Sequence, residues 1–136
     1  MRITLNFKIW RCLSENNLFI MKDNLIRKKS YSFAITIVRL YQQLTVQKRE
    51  FILSKQCLRS GTAIGALVSE SIHAQSKADF INKINIALKE ANETLYWIDL
   101  MKDTDYISKE KHASLYGDGM EIVKILASIL KTLKTQ

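Results

Sequence analysis

Proline is absent from this chain of 136 residues, and glycine occurs only four times. Those two shortages argue against a turn-rich β fold and leave long, uninterrupted helices as the economical reading. Cysteine is scarce as well. Cys12 and Cys57 stand without metal-like spacing, and only two histidines accompany them, which excludes a disulfide framework and fits a reduced, cytoplasmic setting. Apolar runs fall far short of the roughly 20 residues that a membrane span needs. What is plentiful is Leu, Ile and Lys, with a formal net charge of +8. The length fits one domain with a real core. A basic balance of this size suits an anionic partner such as RNA, or serves solubility alone.

Residues 1–20 differ from the rest. Their apolar residues are broken by Lys8, Arg11, Glu15 and three Asn, without helical period and without the apolar stretch of a signal peptide. The expected organisation is therefore a non-native or disordered leader over 1–20, a natural start at Met21, and one helical domain over 21–136. The first helix is expected over about Asn24–Thr45, with Ile26, Phe33, Ile37, Val38, Leu40, Tyr41 and Leu44 as its apolar stripe. Gln47, Lys48 and Arg49 connect it to a second helix over about Glu50–Ala74, whose inner face carries Leu53, Cys57, Gly61, Ile64, Val68 and Ser71. Ser60-Gly61-Thr62 weakens the middle of that helix and reads as a kink rather than a break.

Ser76-Lys-Ala-Asp79 resembles a capping box opening the third helix, with Asp in place of the usual Glu. Its stripe of Phe80, Ile84, Ala87, Leu88, Ala91, Leu95 and Ile98 is the cleanest helical signal in the chain. This helix fades at Thr104-Asp105, and Ser108 caps a fourth that carries Leu115, Ile122, Val123, Leu126, Ile129, Leu130 and Leu133. Gly117 and Gly119 weaken the fourth helix in its first half. Helices of roughly 20 to 28 residues joined by short connections force antiparallel neighbours. The fold class expected is all-α, an antiparallel up-down-up-down four-helix bundle.

Helix three carries a second face. Ile86, Glu90, Glu93 and Trp97 lie opposite its core stripe, and helix two offers Lys55, Arg59, Thr62, Ala66, Glu70 and His73 opposite its own. Antiparallel register puts Arg59 level with Glu90 and within a turn of Glu93. This is either a surface ion pair worth about 0 to 1 kcal/mol or a partly buried network that forms an oligomer interface. An Ile and a Trp on a face that a monomer gives to water favour the second. Arg59, Glu70, Ile86, Glu90, Glu93 and Trp97 are the expected interface residues.

No catalytic constellation emerges. Glu70-Ser-Ile-His73 is a single Glu-x-x-His facing away from the core, where a carboxylate-bridged di-metal bundle needs two such motifs facing inward. Cys57 lies on a core face with no His in helical phase and reads as a small apolar residue. Ser60-Gly61-Thr62 and Ile64-Gly65-Ala66 are too sparse for a phosphate loop. No enzyme activity, metal, cofactor or small-molecule substrate is expected.

The stretches SKQCLRSGTAIGALVSE and AQSKADFINKINIALKEANETLYWIDLMK, preceded by MKDN and KSYSFAI and followed by EIVKILASILKTLK, resemble the small four-helix-bundle family founded on proteins encoded by intervening sequences in bacterial 23S rRNA genes. Leu58, Arg59, Ser60, Ile64, Glu70, Gln75, Phe80, Leu88, Glu90, Glu93 and Trp97 match its pattern. Leu67 departs from a typical Asn, and Ser69 and Ser71 from typical Glu and Ala. The resemblance implies a non-enzymatic bundle of uncertain molecular role that assembles as a homopentameric ring. The family is also similar in fold to the basic accessory proteins of diversity-generating retroelements, thought to bind nucleic acid.

Two functions stay open. One is association with ribosomal or other RNA, and the other is a structural or protein-interaction scaffold with no nucleic-acid role. For the first, one end of an up-down-up-down bundle gathers Arg27, Lys28, Lys29, Lys77, Lys131 and Lys134 against Asp23 and Asp79. The other end mixes Lys48, Arg49, Lys102, Lys109 and Lys111 with Asp99, Asp103, Asp105 and Glu110. The first end is the candidate anion-binding rim.

Overall fold

The structure, a computed structural model, describes the backbone of residues 17–134 and the side chains from Met21 to Lys134. Most of the expected leader lies outside the described residues; the backbone of 17–20 is helical and continuous with residues 21–43. Four helices make up the described residues, with no strand among them: α1 (Asn17–Gln43), α2 (Leu53–Ser71), α3 (Lys77–Asp103) and α4 (Lys109–Lys134). A π-helical turn, Leu44–Lys48, extends α1. Each helix contributes a buried stripe to one core, including Phe33 and Ile37 of α1, Ile64 and Val68 of α2, Phe80 and Ile84 of α3, and Leu126 and Leu133 of α4. Each such side chain contributes about 1.5–3 kcal/mol by leaving water.

The stripe expected for α3 is buried as read, except that Leu88 packs only partly against the core. Thr94 joins it unannounced. It is fully buried because its hydroxyl bonds the Ser60 hydroxyl at 2.8 Å and the Glu90 carbonyl at 2.8 Å, so no polar group is stranded. Val38 is a correction. It follows Ile37 by one residue, which turns it about 100° around the helix, and it is 38% exposed rather than in the core.

Helix α2 is shorter at both ends than the apolar pattern suggests. Arg49 adopts a left-handed conformation, φ 52°, that closes the π turn. Glu50 then serves as a cap instead of a helical residue. Its buried carboxylate accepts from the backbone N–H groups of Ile52, Leu53 and Ser54 at 2.9, 2.8 and 2.7 Å, three donors that a helix start leaves orphaned. At the far end His73 and Ala74 bond back three residues, to the carbonyls of Glu70 and Ser71, so the last turn tightens and the α-helix stops at Ser71. Ser76 caps α3 by accepting from the Asp79 N–H at 3.0 Å, and the Asp79 carboxylate reaches back to the N–H of Gln75 rather than of Ser76.

Gly61 does not break α2, which continues through it as the sequence suggests. Its missing side chain serves packing, since a Cβ there would stand 2.9 Å from two carbons of Ile37. At Gly65 a Cβ would stand 3.3 Å from the carbonyl oxygen of Ser30. The two glycines bring α1 and α2 together along their length. Gly119 acts likewise in α4, where Leu95 occupies the space, and α4 continues through both of its glycines.

Candidate functional site

Arg59 projects from α2 across the groove to α3. One guanidinium nitrogen lies 2.6 Å from Glu93 Oε2, and the same head group approaches Glu90 at 3.2–3.3 Å. Trp97 Nε1 donates to the other oxygen of Glu93 at 3.3 Å. The Arg59 hydrogen bond, helped by that of Trp97, outweighs partial burial and holds the Glu93 carboxyl below the ordinary carboxylate range. Hydrogen bonds to Glu93 and Glu90 in turn raise Arg59. The network sits at the surface of a single chain, with the Arg59 side chain 52% exposed and that of Glu90 18%. Ile86 and Trp97 are half-buried, and Trp97 rests on the core and meets Tyr96 edge-to-face at 5.0 Å between ring centroids. Glu70 lies further along the same seam, 3.7 Å from Lys83. The structure thus brings the six seam residues onto the α2–α3 side.

The six basic residues share one half of the molecule but do not meet at its end: α1 begins at Asn17 and not at the expected Asn24, which puts Arg27, Lys28 and Lys29 near its middle, while Lys77 opens α3 and Lys131 and Lys134 close α4. Lys22 donates to Ser128, and Lys29 pairs with Glu121 at 2.7 Å, which sets the first half of α1 beside the last half of α4. Gly65 against Ser30 sets that same half of α1 beside the end of α2, and Lys77 opens α3 just beyond. The residues differ in how free their charge is. Lys29 is engaged by Glu121, and Lys77 and Lys131 also have partners. Arg27, Lys28 and Lys134 have no carboxylate partner among the described residues. At the opposite end acids offset the bases: Lys102 lies 3.8 Å from Asp103, and Asp99 holds His112 at 2.7 Å while the imidazole stacks on Tyr116.

Sequence reasoning passed over a cleft of about 640 Å³ between α1 and α2, lined by Asn24, Arg27, Lys28, Tyr31, Gly65, Val68, Ser69 and Ile72. Its residues fall at i, i+3, i+4 and i+7 on each helix, a spacing that marks one face of a helix but not a cleft between two. The other residues weighed for chemistry offer little. Burial pushes the Cys57 thiol up to about 12, which leaves almost no thiolate at neutral pH. Glu70 and His73 are exposed, and among the described residues no three His, Cys, Asp or Glu side chains gather as a metal site would need. No helix of the described residues is long and apolar enough to cross a membrane.

Fold and surface together define a small protein, all-α with four helices among its described residues, that carries a charged seam between α2 and α3. The family model of the 23S rRNA-intervening sequence protein matches residues 22–128, and this chain belongs to that family. Among solved structures, it is similar to a protein of unknown function from the S23 ribosomal protein family of Bacteroides thetaiotaomicron VPI-5482. The two are 55% identical over 81% of this chain and 98% of that one, with a TM-score of 0.80. No curated protein matches the chain.

Proposed function

We propose that this chain is a non-enzymatic, self-assembling bundle of the cytoplasm that associates with RNA, ribosomal or other, through its basic half. The helices alternate up, down, up and down. That direction is supported by contacts in which residue numbers rise on one helix as they fall on the next, as for Ile37 with Gly61 and Ser30 with Gly65. Copies join into a ring, a pentamer by resemblance to the family, through the α2–α3 seam. The observation that carries the RNA reading is that Arg27 and Lys28, adjacent on α1, and Lys134, in the same half of the molecule, have no carboxylate partners among the described residues. A ring repeats those charges around a rim, raising the local potential toward a polyanion without reading its sequence.

A gel-shift series with structured RNA at several salt concentrations tests this. Affinity is expected to fall steeply as salt rises, because each neutralised phosphate releases counterions. Combining Lys28→Glu, Lys131→Glu and Lys134→Glu is expected to abolish binding without changing mass by light scattering. The combination of Lys48→Glu, Arg49→Glu and Lys109→Glu at the opposite end is expected to matter less. Equal losses from both sets would mean that only net charge counts. No binding by the unaltered protein at low salt would leave the second reading, a protein-interaction scaffold. The scaffold reading is favoured by the exposed apolar side chains at the end of α1 and in the connection after it, among them Val46, Phe51 and Ile52.

A further inference from the structure

We infer that the cleft between α1 and α2 receives a single unpaired nucleotide of RNA, its base beside Tyr31 and its phosphate between Arg27 and Lys28. The inference rests on the RNA reading above and names the part of the RNA that is held.

The cleft is assembled by two matching helix faces. Asn24, Arg27, Lys28 and Tyr31 form the wall from α1, and Gly65, Val68, Ser69 and Ile72 form the wall and floor from α2. The close approach of Gly65 to the carbonyl of Ser30 sets the register, so Tyr31 stands about level with Gly65. Arg27 and Lys28 then stand level with Val68 and Ser69, and Asn24 with Ile72. Tyr31 is 70% exposed, although its ring is apolar over most of its area. Opposite it Gly65 presents backbone that packs against the Ser30 carbonyl, so the cleft opens beside that contact, toward Val68 and Ile72. Val68 makes a buried apolar floor, with Ile72 partly buried beside it. Asn24 and Ser69, both exposed, place an amide and a hydroxyl where a base edge or a ribose hydroxyl would lie.

Charge selects the ligand class. Among the described residues no carboxylate lines the cleft, and the head groups of Arg27 and Lys28 have no acidic partner. A ligand with a planar body and an adjoining monoanion satisfies ring, floor and cations together, and a nucleotide is that ligand. The volume falls within the range of small-molecule pockets, about 300–1,000 Å³. From Asn24 to Tyr31 the wall is about 10 Å long, which suits one nucleotide and not a turn of duplex. Bases in an A-form helix are stacked and turned inward, so only a loop, bulge or end can enter.

The test is fluorescence anisotropy with two labelled probes of equal length, an unstructured oligoribonucleotide and a blunt RNA duplex, at low salt. Tyr31→Ala removes an exposed ring, and Ser69→Leu fills the cleft from an exposed position; neither disturbs the core, and light scattering checks assembly. Each is expected to weaken the single-stranded probe about five- to 150-fold, the range for losing one base–aromatic stack, and to leave the duplex within about twofold. Tyr31→Trp is expected to retain affinity and to add a tryptophan emission that the single-stranded probe quenches and the duplex does not. If both probes bind the unaltered protein and neither cleft substitution separates them, the inference falls while the basic rim stands. If adenosine monophosphate alone displaces the single-stranded probe at equal concentration, the cleft is a free-nucleotide site and the assignment to RNA is overturned. If no RNA binds, the RNA reading and this inference fall together.

Discussion

Glu50 decides where α2 begins. Burial by itself would raise its carboxyl, but hydrogen bonds from the backbone of Ser54, Leu53 and Ile52 outweigh it and hold the group below its ordinary value of 4.5. A depressed folded-state value means stability that is present above the ordinary value and is lost as pH falls through the folded one. Glu50→Ala leaves three N–H groups without their acceptor and is expected to cost about 1–2 kcal/mol at pH 7, read as a lower thermal midpoint. The gap between variant and unaltered protein is expected to narrow as pH is lowered below the ordinary carboxylate value and through the depressed folded-state one. A gap independent of pH would show that packing of the side chain, not its charge, closes the helix start. Nothing in the sequence announced this role, because Glu is not a usual cap and the residue sits next to an apolar run that continues the helical pattern.

At the scale of elements, α3 was the most legible in the sequence. Its stripe keeps helical spacing over more than four turns, and its cap residues stand at both ends. The ends of α2 were not legible, since they depend on the left-handed Arg49 and on a tightened last turn, neither of which leaves a periodic trace. Of the candidate sites, the seam could be read because its partners carry opposite charges in matching register. The cleft could not, because half of it lies on each of two helices and neither half is unusual alone. Gly61 read in the sequence as a weak point of the helix, whereas its close fit against Ile37 depends on a second helix and leaves no trace in the pattern of α2. Gly61→Val is expected to cost about 1–3 kcal/mol through overpacking against Ile37, and less in combination with Ile37→Ala than the two single losses together. Gly117→Ala is the contrast. A Cβ there meets nothing within 4 Å, so a gain of about 0.5–1 kcal/mol is expected from helix propensity. Urea titrations of the set check both signs, and equal behaviour at the two glycines would show that α1 and α2 are not in close register at Gly61.

For the whole molecule, the proposed ring makes a demand that the fold of one chain does not. A closed ring of more than two identical copies joins one patch to a different patch, so each chain must carry two. The α2–α3 seam supplies one, with Tyr96 exposed and Trp97 half-buried beside the Arg59 network. The second is expected where exposed apolar side chains gather away from the basic half, at Ile35 and Val38 of α1 and at Phe51 and Ile52 before α2. Singly exposed apolar residues are ordinary, but a cluster on a small domain marks a contact surface. Trp97→Ala is expected to weaken assembly most on the seam side, as a Trp at an interface commonly anchors it. Ile35→Glu with Val38→Glu is expected to do the same from the other side. Light scattering at tens of micromolar then separates the geometries. Chains with either patch disabled are expected to be monomers or short open assemblies, and an equimolar mixture of the two kinds is expected to form dimers that go no further, because a seam intact on one chain meets an α1 face intact on the other. If the mixture stays monomeric while each substitution alone breaks assembly, the two patches belong to one self-complementary surface and the assembly is a twofold dimer. An unaltered protein that is itself monomeric at that concentration would remove the ring, and with it the repetition of the basic residues around a rim.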